Sequence, residues 1–181
     1  MIYVDDARML QTMVPGCLGV LRSPKEFFRA MPGSQLYRNS IMVLTFVSFL
    51  SVLVSMIFHA EAMLFLYPLV WVVMLIVLKL FETYLVAAVR SVTGRALAGS
   101  NAFRILTYAS VPLALMFVPW LTMAAQAWAL YLLWLGLVKR INVPAISAAV
   151  IVFLPGILLM VVGNVGVVMV FEIIPKLRPW L

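Results

Sequence analysis

Residues 79–112 read KLFETYLVAAVRSVTGRALAGSNAFRILTYASVP, and the reading of this stretch decides how the chain is organised. Strongly apolar runs abut both of its ends. Within it Arg90, Arg95 and Arg104 stand among Gly94, Gly99, Ser100 and Asn101, so that charge, turn formers and a hydrophobic wall meet in one segment. Such a pattern reads as a basic, turn-rich cytoplasmic connection between two membrane spans.

Composition fixes the solvent. Hydrophobic residues make up 66% of the 181 and charged residues 10%, against about half and a quarter in ordinary soluble domains. A small soluble domain leaves a large share of its surface exposed and has nowhere to hide so much apolar area. In hydrocarbon every backbone polar group needs an internal partner, which leaves helices or a closed barrel. Barrel strands alternate in polarity over about ten residues, whereas these runs are longer and apolar on all sides. The expected fold is an all-α integral membrane protein of one domain.

Working outward, the spans fall at about 40–58, 62–89, 102–118, 121–138 and 144–171, close to the roughly 20 residues that a bilayer core needs. They make a five-helix membrane domain over 39–172, preceded by a cytoplasmic or interfacial segment, 1–38, and followed by a short external tail, 173–181. In the N-terminal segment Met9, Leu10, Met13 and Val14 recur at helical spacing until Pro15 and Gly16 end the run. Ser23-Pro24-Lys25-Glu26 then reads as a capping box with proline at the first helical position. Its helix carries Phe27 and Phe28 beside Lys25 and Arg29, and Pro32-Gly33 closes it. Two readings stand: a membrane-interface helix or a helix packed against the bundle. Residues 1–10 have neither a basic nor an apolar signal-peptide region, so the first span is expected to direct insertion.

Loop charge sets orientation. Arg8, Arg22, Lys25, Arg29 and Arg38 precede the first span, Arg90, Arg95 and Arg104 fill the second connection, and Lys139 and Arg140 the fourth. The first and third connections have no lysine or arginine, and the tail has only Lys176 and Arg178. The positive-inside rule then places the N-terminus in the cytoplasm and the C-terminus outside.

The net charge of +7 has no soluble basic module to carry it, so nucleic acid is not an expected partner. Membrane lipids and their anionic headgroups are, with another membrane protein or a second copy beside them. Chemistry has little to work with. His59 is expected at the outer face, and Cys17, Asp5 and Asp6 at the inner face, too far apart for a nucleophile relay. One cysteine permits no internal disulfide, and one histidine with one cysteine makes no recognisable zinc or haem set. GRALAGS lacks the lysine of a phosphate loop. No enzyme activity and no cofactor are expected.

Lys79 and Glu82, three apart, share a helix face and can pair. They read either as an interfacial ion pair or as a polar site facing the bundle interior. Asn164, Gln126 and Tyr108 read as interhelical hydrogen-bonding groups, while Pro112 and Pro155 break the hydrogen bonding of their helices, with three readings: a kink, a cavity, or no effect beyond shape. Small residues at Ala125, Ala129 and Gly136, and at Ala145, Ala149, Gly156 and Gly163, form stripes suited to close helix packing.

Three pieces of sequence carry a resemblance: SPKEFFRAMP at 23–32, LVAAVRSVTGRALAGSNAFRILTYASVP at 85–112, and WLGLVKRINVPAISAAVIVFLP at 134–155. Set among five closely spaced apolar runs, they resemble the Ypt/Rab-interacting-protein (Yip) domain family over about residues 18–170. The resemblance implies five spans and a cytosolic N-terminus. Eukaryotic members associate with Rab-type GTPases in early secretory membranes. The short N-terminal segment here is similar to that of a compact prokaryotic member, which implies a plasma (inner) membrane. The family offers no catalytic residue to carry over.

The expected role is therefore a non-enzymatic protein that organises lipid or partner proteins at the cytoplasmic face, through Phe27, Phe28, Arg90, Arg95 and Arg104. The alternatives are a small transporter or channel component built on Lys79, Glu82 and Asn164, and an assembly factor for a larger membrane complex.

Overall fold

The segment that organises the sequence also lies at the centre of the structure. A computed structural model describes residues 9–31, 37–59, 62–94, 96–116, 118 and 120–168, and describes only the backbone at 9, 10, 37, 58, 59, 62–70, 73, 74 and 163–168. Every regular element among the described residues is helical: α1 (Met9–Arg22), α2 (Pro24–Ala30), α3 (Tyr37–His59), α4 (Ala62–Thr93), α5 (Gly99–Ala109), a 3-10 turn (Val111–Leu115), α6 (Thr122–Arg140) and α7 (Ala145–Val168). Asp5, Asp6, Pro32, Gly33, Arg95, the tail 173–181 and the side chains of His59 and Asn164 lie outside the described residues.

α5 is the hub. It packs on α3, α4, α6 and α1, and every residue from Ala102 to Ala109 is buried. A buried helix must satisfy its own polar groups. Thr107 Oγ1 donates to Phe103 O at 2.8 Å and Ser110 Oγ to Thr107 O at 2.7 Å. Pro112 has no N–H to continue the ladder, so the chain tightens into the 3-10 turn, with Leu113 N–H donating to Ser110 O at 2.9 Å. The third expected span is thus a short α-helix and a tighter turn rather than one continuous helix.

α3 meets this hub through a serine face that the sequence reading did not single out. Ser40, Ser48, Ser51 and Ser55 are all buried, and such small side chains let backbones approach. Ser51 Oγ shares its proton between Val47 O at 3.0 Å and Leu113 O at 3.3 Å, tying α3 to the 3-10 turn.

The N-terminal helices depart from expectation in two ways. Pro15 and Gly16 do not end α1, which runs through them to Arg22. Met13, Cys17 and Val20 lie on one buried stripe, and that burial outweighs the hydrogen bond that Pro15 forfeits. The capping box also fails to form: Ser23 makes no side-chain cap bond. Its N–H, which Glu26 would have accepted, already donates to Gly19 O at 3.0 Å, so α1 feeds directly into α2.

α6 ends on Asn142, whose φ of 59° is left-handed, a conformation that asparagine tolerates better than most residues. Ile141 and Val143 both donate to Leu137 O at 3.2 Å. α7 closes the bundle against α6 and α4, with Trp134 Nε1 donating to Ala145 O at 3.0 Å and Tyr84 OH to Ile151 O at 3.2 Å. Its outer side is apolar and bare, with Ile146 82% exposed. Among the described residues two stretches are long and apolar enough to cross a membrane, Arg38–Ile57 and Ala145–Val162.

The small-residue stripes serve several neighbours. On α6, Ala125, Ala129 and Gly136 are buried, but Gly136 faces Ile105 of α5 and Phe28 of α2. On α7 the buried line runs through Ala148, Val152 and Gly156, with Gly156 against Leu130 of α6; Ala149 is half-buried and Ala145 exposed. The packing line is therefore shifted from the one expected through Ala145 and Ala149, and Gly163 lies among the residues described by backbone only.

This contrast is testable. A methyl at Gly136 would collide with the γ-methyl of Ile105, a β-branched side chain held stiffly by its helix. A methyl at Gly156 would meet only the side chain of Leu130, its δ-methyls first, which can turn aside. Gly136→Ala is expected to destabilise the folded protein by about 1–3 kcal/mol, whereas Gly156→Ala changes it by less than about 1 kcal/mol. Reversible unfolding in bicelles separates the two outcomes.

Candidate functional site

Consecutive helices joined by short connections run antiparallel, and this gathers the cations. Arg38 opens α3, Arg90 lies near the end of α4, Arg104 sits in the second turn of α5, and Lys139 and Arg140 close α6. α2, with Lys25 and Arg29, packs against the same end of α6. Residues 113–124, at the other end, contain no charged residue. These helix ends form a basic pole.

The five expected contact residues do not share one surface. Arg90 is exposed, as are Arg22, Lys25, Arg29 and Arg38. Phe27 and Phe28 are fully buried, so the packing reading of α2 is the one the structure shows. Phe27 meets Phe28 edge-on with centroids 5.7 Å apart and Tyr108 of α5 at 4.9 Å. Phe28 fills the space beside Gly136. These two rings wedge α2 between α5 and α6 and are not available to a partner. Arg104 is also buried, at 2% exposure, and its charge acts on Tyr108 and on Arg140. Periodicity alone did not reveal this burial, because the basic loop ends at Leu97–Ala98 and the helix has already turned inward by Arg104.

Lys79 and Glu82 do pair, with Nζ 2.7 Å from Oε2. The pair straddles a boundary: the Lys79 side chain is 61% exposed and that of Glu82 only 6%. Lys79 Nζ also stands 6.0 Å from the centre of the Phe103 ring, within reach of a cation–π attraction. The carboxylate therefore faces the bundle and the ammonium reaches out of it.

Two of the clefts that enter the bundle lie elsewhere. One, of about 680 Å³, lies between α1, α3, the 3-10 turn and α6, and Cys17, Phe46, Pro112 and Trp128 line it. The other, of about 220 Å³, lies between α4, α5, α6 and α7; Ser110 and Gln126 are its polar lining, and neither Lys79 nor Glu82 borders it. Among the described residues no histidine, cysteine and carboxylate group gathers in a metal-binding cluster.

A profile of the Yip1 domain matches residues 18–166, most of the chain, from the second half of α1 to the last turn of α7. The chain belongs to the Yip1 domain family. No curated protein and no solved structure matches it. Membership agrees with the apolar exterior and makes this Yip1-domain chain a helical membrane protein. The match takes in α2, the basic pole and the α5 hub together.

Cys17 gives this packing a chemical readout. Burial pushes its thiol up to about 11, since the charged thiolate is the form that desolvation penalises. A native pKa above the unfolded value means that the neutral thiol adds stability at low pH, a contribution lost as pH rises through about 11. Alkylation of the folded protein is expected to accelerate about tenfold per pH unit with no plateau up to pH ~9.5. A plateau near the ordinary thiol range would show that Cys17 is solvated.

Proposed function

We propose that this Yip1-domain protein is a non-catalytic five-span protein of a prokaryotic plasma membrane, with its N-terminus in the cytoplasm. Its basic pole organises anionic lipid, or a partner protein carrying similar charge, at the cytoplasmic face. The observation that supports this reading best is the gathering of Lys25, Arg29, Arg38 and Arg90, all exposed, at one end of the bundle. Cations in such a position gain about 1 kcal/mol each from an anionic leaflet.

The contact surface in this reading is narrower than the sequence suggested. Phe27, Phe28 and Arg104 support it from within by fixing α2 and α5, while the exposed arginines and Lys25 make the contact. A transporter role would draw on the smaller cleft, where Gln126 and Ser110 are the polar groups; the ion pair of Lys79 and Glu82 lies off its lining. An assembly role would draw on the bare face of α7. Charge at the basic pole favours lipid or partner organisation over both.

Native mass spectrometry of protein released from nanodiscs of mixed phosphatidylcholine and phosphatidylglycerol tests this reading. Retained phosphatidylglycerol is expected to exceed its share of the bilayer. That excess should fall several-fold when Lys25, Arg29 and Arg90 are together replaced by glutamine, and also as salt rises from about 0.05 to 0.5 M. Equal retention by both proteins would contradict it.

A further inference from the structure

The larger cleft takes no part in the surface attraction of the basic pole. Its volume of about 680 Å³ falls among the roughly 300–1,000 Å³ of sites that enclose a small ligand. Val14, Cys17, Leu18 and Leu21 recur at helical spacing and make α1 one wall, while α3, the 3-10 turn and the start of α6 make the others. Among the lining side chains only the Cys17 thiol and the Trp128 indole N–H are polar. A held water needs about two to four polar partners, so this space is dry. Val14, Leu18 and Trp128 are exposed, which leaves the cleft open at its side. Beyond such an opening in a helical membrane protein lies lipid.

The cleft has a direction. The Ser23 N–H bond to Gly19 O leads α1 straight into α2, and Phe28 sets α2 beside Gly136, one turn before Arg140. Leu21 therefore marks the end of the cleft nearest the basic pole. On α6 the lining runs from Leu121 to Trp128, which lies about 12 Å or more further from that pole along the helix. Exposed Arg22 directly follows Leu21. A cation at one end and an apolar wall leading away from it match the polarity of an anionic phospholipid. Its phosphate is a fork-shaped partner for a guanidinium, and its chain suits the dry lining. Residues 1–8 of the chain itself carry Asp5, Asp6 and Arg8, charges that such a lining excludes. We propose that this cleft seats one acyl chain of an anionic phospholipid, with Arg22 on its phosphate.

The site adds an intramembrane chain pocket to the preceding reading, on which it rests for the choice of an anionic lipid. The test uses the full chain in phosphatidylcholine nanodiscs that contain a trace of phosphatidylglycerol with a diazirine midway along one acyl chain. After illumination, mass spectrometry maps the adducts. The bare face of α7, at Ile146, Val150 and Leu154, reports contact with bulk lipid. Ala124 is exposed and lines the cleft, so Ala124→Phe fills it from one wall. Val14→Phe fills it from another and serves where the first variant does not fold.

Adducts in residues 14–21 and 121–128 are expected to exceed those on the α7 face several-fold. Filling the cleft should cut them severalfold and leave the α7 adducts unchanged. Unlabelled phosphatidylglycerol should compete about fivefold better than phosphatidylcholine, and Arg22→Gln should abolish that preference. The proposal is overturned if adducts are no denser in the cleft than on α7, if filling leaves them unchanged, or if phosphatidylcholine competes equally well. Loss of the cleft adducts in discs holding two copies would assign the cleft to a second copy and overturn it too. The Lys25, Arg29 and Arg90 triple variant should keep its cleft adducts even where the surface reading fails, so the two failures are distinguishable.

Discussion

The structure depends on the burial of one short helix that carries polar groups. α5 is only 11 residues long, yet helices on every side close over it. A helix so placed cannot turn to water for any donor or acceptor, and an unpaired buried polar group costs about 1–3 kcal/mol. Thr107 and Ser110 therefore bond back to their own backbone, and the 3-10 turn begins where Pro112 ends the α-helical ladder. The neighbours must come close, which explains a glycine at 136 on one side and serines along α3 on the other. The rings of Phe27 and Phe28 then pack against Tyr108 and beside Gly136.

Much of this was legible because lipid leaves the chain few choices. Apolar runs without alternation had to be helices, and the helix ends of α3 and α6 fall within about three residues of those expected from loop chemistry. The pairing of Lys79 with Glu82 followed from a spacing of three on one helix. The central position of the basic, glycine-bearing stretch was visible too, although as a connection rather than as the entry to the hub.

What was hidden was which way short elements face. α2 has phenylalanines on one side and cations on the other, a pattern equally suited to an interface and to a buried seam; only the glycines at 19 and 136, distant in sequence, make room for the rings. Arg104 reads as a loop cation because arginine is so rarely buried, and tertiary packing overrode that expectation. Pro15 reads as a helix end because its local effect is large, but the stripe of Met13, Cys17 and Val20 gains more by continuing. The serines of α3 carried a spacing signal that is weak beside the strong hydropathy around them.

The same packing links fold and function. The wedge that holds α5 also lies at the pole where Arg38, Arg90, Lys139 and Arg140 gather, with Arg104 buried beneath it. The measurement that tests this account most directly is a double-mutant cycle between Phe27 and Tyr108, each replaced by leucine, read by reversible unfolding in bicelles. Their rings are 4.9 Å apart across the α2–α5 seam, and a coupling energy of about 0.5–1.5 kcal/mol is expected. Additive effects, with no coupling, would mean that α2 does not lock the hub and would contradict the account.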